Sequence, residues 1–257
     1  MYLFFSDIDG TLLDHDTYSY EHSMAGIRAL RARHIPLVLV SSKTCHEMQR
    51  IHDELLIDAP FIFENGGGIR WHDGTVEWIG MKVSGLYAMK DTLEAAAGMM
   101  VRFITDMEIT EIVALTGLSH ERAALARQRT TSLPFVLLSG TGINDDDMSR
   151  INRTLGGKGV AITKGGRFYH LLSKDTDKGN AVVKVINSFC KGENVRITSI
   201  GIGDSENDIP MLKAVDRPYV VKKKNGLAIK TGLHNVRETS GIGPAGFTEA
   251  VFSVLGA

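Results

Sequence analysis

The sequence predicts an α/β protein: a Rossmann-like three-layer core, with a parallel sheet between helices, and a smaller α+β domain inserted into it. Three observations predict this. Short apolar runs recur at 2–5, 35–40, 60–63, 197–202 and 218–221, each too short for a helix and continuous enough for a strand buried on both faces. Helical periodicity fills most of the gaps between them, the βα alternation that makes strands parallel. Residues 82–173 break that rhythm with a mixture of strand and helix patterns. The division that follows is a core of 1–81 and 174–257 and an insert of 82–173.

Taken in order, the strand at 2–5 leads to a helix on which Met24, Ile27 and Leu30 share a face. The run at 35–40 is the second strand, and Met48, Ile51 and Leu55 form the apolar stripe of the helix after it. The run at 60–63 is the third. Within the insert, helices are expected at 86–97, 119–128 and 145–155, and strands near 101–105, 133–138, 159–163 and 167–172. Asn144-Asp145-Asp146-Asp147 lacks the spacing and closing glutamate of a calcium loop and reads as the acidic first turn of a helix. Val182, Val183, Ile186 and Phe189 predict a helix face before the fourth core strand at 197–202, and the fifth follows at 218–221. Residues 241–246 match G-x-G-x-x-G, but no strong strand precedes them and eleven residues follow, so they read as a loop before a C-terminal helix.

Composition narrows the function classes. The 257 residues carry 29 Lys and Arg against 30 Asp and Glu, a formal net charge of −1 that offers no bulk attraction to nucleic acid or an anionic membrane. The first residues have no signal-peptide pattern and no apolar stretch nears the roughly 20 residues of a membrane span, so a cytoplasmic location is expected. Cys45 and Cys190 are far apart and in no C-x-x-C pattern, which argues for reduced thiols and against a disulfide framework or zinc site.

The core strands end in residues that carry chemistry. The first delivers Asp7 and Asp9, the second Ser41-Ser42-Lys43-Thr44, the third Glu64-Asn65-Gly66-Gly67-Gly68, and the fourth Gly203-Asp204 with Asn207 and Asp208 just beyond. In an open parallel sheet these ends share one edge, where ligands bind. Asp7 and Asp9 suit a division between nucleophile and proton carrier. With Asp204 and Asp208 they form a hard-oxygen cluster that needs a divalent cation, and Mg²⁺ fits best because it accepts a few carboxylates plus waters and phosphate oxygens. Ser41 or Ser42, with the backbone N–H groups after them, could seat a phosphate. Lys178, at the start of a helical pattern, could set a fixed positive charge beside it.

These positions resemble the haloacid dehalogenase-like phosphatase superfamily, whose four motifs match in order as Asp7-x-Asp9-Gly10-Thr11, Ser41, Lys178 and Gly203-Asp204-x-x-x-Asp208. Within it, Ser41-Ser42-Lys43-Thr44, Glu64-Asn65-Gly66-Gly67, Gly166-Arg167-Phe168 and Gly243-Pro244-x-Gly246-Phe247 are similar to the mannosyl-3-phosphoglycerate phosphatases, although Cys45 and Phe247 stand where arginine and tryptophan are frequent. The resemblance implies an aspartyl-phosphate on Asp7, with Asp9 protonating the leaving oxygen and then activating water. It implies Mg²⁺ held by Asp7, the main-chain carbonyl of Asp9 and Asp204, with Asp208 as an orienter or occasional ligand. The insert would be a C2B-type cap that encloses the substrate, a small anionic phosphorylated sugar or glycosyl-glycerate. Ser41 and Lys178 complete the catalytic set, and substrate contacts are expected from Thr11, Ser42, Lys43, Asn65, Gly66, Arg167 and Asn207. Arg167, with Lys43 as a second candidate, suits the glycerate carboxylate because a planar fork binds it bidentately. Other enzymatic readings are phosphatases for sucrose phosphate, glucosyl-3-phosphoglycerate or hexose phosphates. A phosphoacceptor signalling module is the non-enzymatic reading, and Asp9 together with so large an insert argues against it.

Simpler readings stand beside these. Ser42 could cap a helix beginning at Lys43, and Asp208 could cap the segment starting at Ile209, with Pro210 in its first turn. Lys222-Lys223-Lys224 reads as a solvated strand end on the edge where a substrate would arrive, and Cys45 as a packing residue.

Overall fold

The computed structural model describes residues 1–139, 142–165, 167–193 and 196–256; Gly166, part of one motif above, lies outside them. The chain opens with β1 (Tyr2–Ser6), α1 (Met24–Ala32), β2 (Leu37–Val40), α2 (Cys45–Glu54) and β3 (Phe61–Phe63), followed by a hairpin of β4 (Gly68–Arg70) and β5 (Val76–Trp78). The insert contains α3 (Val83–Tyr87), α4 (Lys90–Ala97), β6 (Val101–Phe103), α5 (Ile109–Thr116), α6 (His120–Arg127), β7 (Ser132–Leu137), α7 (Asp145–Gly156), β8 (Val160–Lys164) and β9 (Tyr169–Ser173). The chain returns through α8 (Lys178–Glu193), β10 (Thr198–Gly203), α9 (Ile209–Ala214), β11 (Arg217–Lys222), β12 (Arg237–Ile242) and α10 (Pro244–Leu255).

The first sheet has the order β12-β11-β10-β1-β2-β3-β4-β5; its first six strands run parallel and the β4–β5 hairpin continues it antiparallel. The continuous apolar runs are explained by what they face. In β1 and β2, Phe4 and Leu39 pack with Ile27, Leu30, Met48 and Phe247 of α1, α2 and α10, whereas Leu3, Phe5, Val38 and Val40 pack with Ala181, Val182, Val185, Met211 and Leu212 of α8 and α9. Alternate side chains therefore enter opposite layers, and both are dry. The second sheet, β6-β7-β9-β8, is antiparallel and buries Phe103, Leu133, Phe135, Ile162 and Leu171 against α4 and α7. No helix among the described residues is long and apolar enough to cross a membrane.

Several elements differ from expectation. The helix expected over 86–97 is two, because Met89 leaves helical geometry between α3 and α4. Helix α5 and the three-residue strands β4 and β5 are additional, and Val183 points outward, 43% exposed, while Val182 and Val185 face the sheet. A strand does precede the 241–246 glycines: β12 ends at Ile242, and its edge position explains its polar composition. Ser42 caps nothing, since α2 begins at Cys45 with Thr44 and Glu47 in a reciprocal capping box. Asp208 makes no side-chain cap to α9; it closes a capping box with Ser205 over the turn before it. Asn144 caps α7 by accepting from the Asp147 N–H, as the acidic start suggested.

One buried carboxylate ties the two sheets together. Glu64, fully buried after β3 with φ +50°, accepts from the backbone N–H groups of Thr130, Thr131 and Ser132 at 2.9, 2.8 and 2.7 Å and from the Ser132 hydroxyl at 2.8 Å. These donors lie at the entry to β7, the strand at the centre of the insert. The chain must also pass closely here: a Cβ on Gly66 would sit 2.1 Å from the Asp177 carbonyl oxygen, and its φ of +93° suits glycine alone. Glu64→Gln puts an amide NH₂ against a converging N–H donor whichever way it is turned. The expected cost is about 2–3 kcal/mol, a Tm lowered by roughly 5–10 °C in thermal denaturation, with Glu64→Asp also failing to reach all the donors.

Candidate active site

The parallel register carries the chemistry to one edge. Asp7 follows β1 and its N–H donates to the Ile202 carbonyl at 2.9 Å, so Asp7 extends the ladder next to β10, which ends just before Asp204. The chain then turns tightly. The N–H groups of Leu12 and Leu13 both donate to the Ile8 carbonyl, and Gly10, φ +83°, passes so near Asp204 that a Cβ there would lie 2.7 Å from its Oδ2. Lys178, the first residue of α8 and 1% exposed, donates from Nζ to Asp7 Oδ1 and Asp208 Oδ1, both at 2.6 Å. The other oxygen of Asp208 accepts the Asp204 and Ser205 N–H groups and the Ser205 hydroxyl, each at 3.0 Å.

Asp7, Asp204 and Asp208 are all buried and bring carboxylate oxygens within 4.8 Å of one another. Among the described residues Lys178 is the one cation bonded to this group, so three carboxyls share a single bonded positive charge. Burial and the charge of Asp208 hold the Asp7 carboxyl well above the usual range, with Lys178 opposing them. Burial and Asp208 likewise push Asp204 up to about 7. Burial alone would pull the Lys178 ammonium down; Asp208 and Asp7 outweigh it and raise it. The residues fit a divalent cation: the donor set is hard oxygen, and a positive charge between Asp7 and Asp204 would relieve the repulsion. Asp208 has both oxygens engaged, which makes it an orienter of Lys178 and of the Asp204 backbone.

Asp9 faces the other way. Its Oδ2 lies 2.7 Å from Lys43 Nζ, while its buried Oδ1 has no partner among the described residues. Burial works against the Lys43 charge, but Asp9 and Glu47 more than restore it.

A cavity of about 820 Å³ opens from these carboxylates, between the large sheet's edge and the insert. Of the residues named from the sequence, Asp7, Asp9, Ser42, Lys43, Arg167, Asp204 and Asn207 line it. Ser41, Thr11, Asn65, Gly66, Lys178 and Asp208 stand behind it. Thr11 Oγ1 is 3.5 Å from Asp204 Oδ1, Asn65 accepts from Asn207 Nδ2 at 3.2 Å, and Gly66 packs on the backbone before Lys178. Arg167 is exposed and donates from Nη1 to the Thr116 carbonyl. Lys222, Lys223 and Lys224 form part of the rim, Lys224 paired with Asp16, so they are more than a solvated strand end. Cys45 packs against the core, and burial pushes its thiol up.

Arg129 and His170 are among the lining residues that the sequence did not single out. Arg129, after α6, has a 7% exposed side chain whose Nη1 donates to the Ser42 carbonyl at 2.7 Å. His170, in β9, is 6% exposed, has a buried Nδ1 without a partner among the described residues, and is held down at about 3 by burial and the charges of Arg129 and Lys178; it stays a neutral imidazole. A lone polar residue in the apolar run Leu171-Leu172 was a signal for His170. Arg129 belongs to no motif.

The profile of the haloacid dehalogenase-like hydrolases matches residues 4–101 and 127–237. A glucosyl-3-phosphoglycerate/mannosyl-3-phosphoglycerate phosphatase from Persephonella marina is 34% identical over 98% of this chain and 96% of its own. One from Methanococcoides burtonii is 31% identical over 99% and 97%. Among solved structures, a subclass IIB sugar phosphatase superposes with a TM-score of 0.67 at 17% identity, covering 100% of this chain and 99% of that one. A phosphatase of the same superfamily from Bacteroides thetaiotaomicron gives 0.71 at 17%, covering 100% and 95%. The structural likeness fixes a core with this kind of insert, and the sequence matches, running nearly end to end, make the chain a member of the haloacid dehalogenase-like hydrolase family.

Proposed function

We propose that this phosphatase is Mg²⁺-dependent and removes the phosphate from mannosyl-3-phosphoglycerate or its glucosyl analogue, leaving the glycosylglycerate. The observation that carries the reading is Asp7 and Asp9 facing one cavity in different electrostatic company: Asp7 among carboxylates and Lys178, Asp9 against Lys43 with one oxygen free. The relatives' names supply the substrate class, and the cavity's cationic rim of Lys43, Arg129, Arg167 and Lys222 suits a substrate bearing both phosphate and carboxylate.

The residues divide the work as follows. Lys178 holds one oxygen of Asp7, so the second oxygen attacks phosphorus. As that O–P bond forms and the bond to the glycerate oxygen breaks, Asp9 gives that oxygen its proton. Asp9 then takes a proton from water, whose oxygen attacks phosphorus and frees Asp7. Mg²⁺ would be held by Asp7, the Asp9 main-chain carbonyl and Asp204, and when bound it neutralises charge between Asp7 and the phosphate. Ser41, or Ser42 on the cavity wall beside it, holds the phosphate, and Arg167 or Lys43 the glycerate carboxylate. The insert acts as a cap that excludes water from the phosphoryl group.

Phosphate release in a screen of mannosyl- and glucosyl-3-phosphoglycerate, sucrose phosphate and hexose phosphates tests the substrate. A preference of about tenfold or more, ~1.4 kcal/mol, for the phosphoglycerates is expected, and a better sugar phosphate would overturn it. Asp7→Asn abolishes turnover and leaves no phosphoenzyme after acid quench; appreciable residual turnover removes Asp7 from the nucleophile's role. Arg167→Ala raises KM for the phosphoglycerate about tenfold while leaving KM for p-nitrophenyl phosphate nearly unchanged, as loss of a carboxylate clamp requires. Because Asp7 and Asp204 bind protons more tightly folded than unfolded, their contribution to the stability of the metal-free protein is full below the unfolded value of 3.8 and is lost as pH rises through about 7, whereas the buried neutral His170 works the other way as pH falls below 6.5. Mg²⁺ restores what the carboxylates lose, so the gain in Tm on adding Mg²⁺ is larger near pH 7.5 than near pH 5.

A further inference from the structure

Arg129 makes a connection that a substrate contact alone does not explain. Its guanidinium spans two parts of the molecule: Nε donates to the Ala126 carbonyl at 2.7 Å at the end of α6, and Nη1 donates to the Ser42 carbonyl at 2.7 Å beyond β2. Nη2 lies 3.7 Å from Glu47 Oε2, an oxygen already accepting the Thr44 N–H. The Ser42–Lys43 peptide is trans, so its C=O and N–H point in opposite directions. Holding the carbonyl therefore aims the Lys43 N–H, which donates to Ser41 Oγ at 3.3 Å. Ser41 is 1% exposed, and its own hydroxyl proton has no acceptor among the described residues. With an N–H donating to the oxygen, that proton is left to be given elsewhere.

We propose that Arg129 is a positioning residue of the insert: through the Ser42–Lys43 peptide it sets the Ser41 hydroxyl as a donor to the phosphate. The inference rests on the reading of Ser41 as a phosphate contact. It makes the phosphate seat of the core incomplete until the insert is docked, because the group that orients the peptide belongs to the segment between α6 and β7. The two elements are otherwise tied there by Thr44 Oγ1 donating to the Leu125 carbonyl at 3.1 Å and by the Glu64 bonds. Lysine could not replace this arginine, since a single ammonium on a flexible stem lacks the fork that reaches both carbonyls.

The test is a double-mutant cycle of Arg129→Ala and Ser41→Ala, read by inhibition with inorganic phosphate and by kcat/KM for p-nitrophenyl phosphate in Mg²⁺. Both probes are too small to report on recognition of a sugar or glycerate. Each single variant is expected to weaken both readings about tenfold or more, the scale of losing one preorganised donor to a phosphoryl oxygen. If Arg129 acts through Ser41, the double variant falls no further than about twofold below Ser41→Ala. Losses that multiply in the double variant, or wild-type values in Arg129→Ala, overturn the inference. A purely architectural role gives multiplying losses, because it does not pass through the hydroxyl. Should Arg129→Ala not fold, Arg129→Lys enters the same cycle with the same expectation. Ser41→Ala with undiminished phosphate inhibition overturns the reading of Ser41 itself, an outcome distinct from multiplying losses.

Discussion

Two carboxylates held against one buried lysine, with a third carboxylate beside them, are the constraint on which the rest of the structure depends. Lys178 bonds Asp7 and Asp208 at 2.6 Å with almost no access to water, and these two carboxylates are what keep its ammonium charged there. Buried ion pairs recover their desolvation cost only when geometry and further hydrogen bonds are good, and removing one partner strands a charge. Each element near the site contributes to that geometry. β1 and β10 bring Asp7 and Asp204 into adjacent register, the start of α8 aims Lys178, and the turn before α9 fixes Asp208 through the Asp204 and Ser205 N–H groups. What these bonds leave over is negative charge on Asp7 and Asp204, the part of the cluster that a divalent cation and a phosphoryl group would use.

A second set of contacts joins the chemistry to the insert. Glu64 and Asn65 both sit at positive φ, an arrangement that costs of order 1–3 kcal/mol per residue and persists only where surroundings enforce it. The strained pair faces two ways. Glu64 takes up the insert's backbone, while Asn65 donates its N–H to the Ser41 carbonyl at 2.9 Å and accepts from Asn207. The loops after β2, β3 and β10 are thus linked around the phosphate side of the site. Arg129 closes the same circuit from the other end.

The core was legible because its physics is local and repetitive. Runs such as Leu3-Phe4-Phe5 declare a strand buried on both faces, and Asp7, Lys178 and Asp204 stand at the ends of such runs or at the start of a helix pattern. Three-residue strands such as β4 carry too little pattern to read, and β12 is an edge strand of polar residues whose identity comes from pairing with β11. Helix α5 was missed and the helix over 86–97 was read unbroken because local periodicity does not register the tertiary packing that breaks a helix at Met89. Within the site, positions fixed by motif register were readable. Arg129 and the Glu64 bonds were not, because they depend on how the insert folds back over the core, a juxtaposition of residues 65 or more apart that no local spacing encodes.

This separation explains how one reaction can serve many substrates on one fold. The groups for phosphoryl transfer come from strand ends of the parallel sheet, where a change of position is prevented by ladders on both sides. The groups that would meet the leaving alcohol, Arg167, Phe168 and His170, come from β9 and the loop before it, on a separate antiparallel sheet. Side chains there can change without disturbing Lys178 or Asp208, provided Glu64 and Arg129 keep the insert in place. Structural relatives that share the whole fold at 17% identity are what such an arrangement permits. A neutral, buried imidazole at His170 can only exchange hydrogen bonds, whereas Arg167 carries charge, so the β9 side of the cavity presents two different chemistries within four residues of chain.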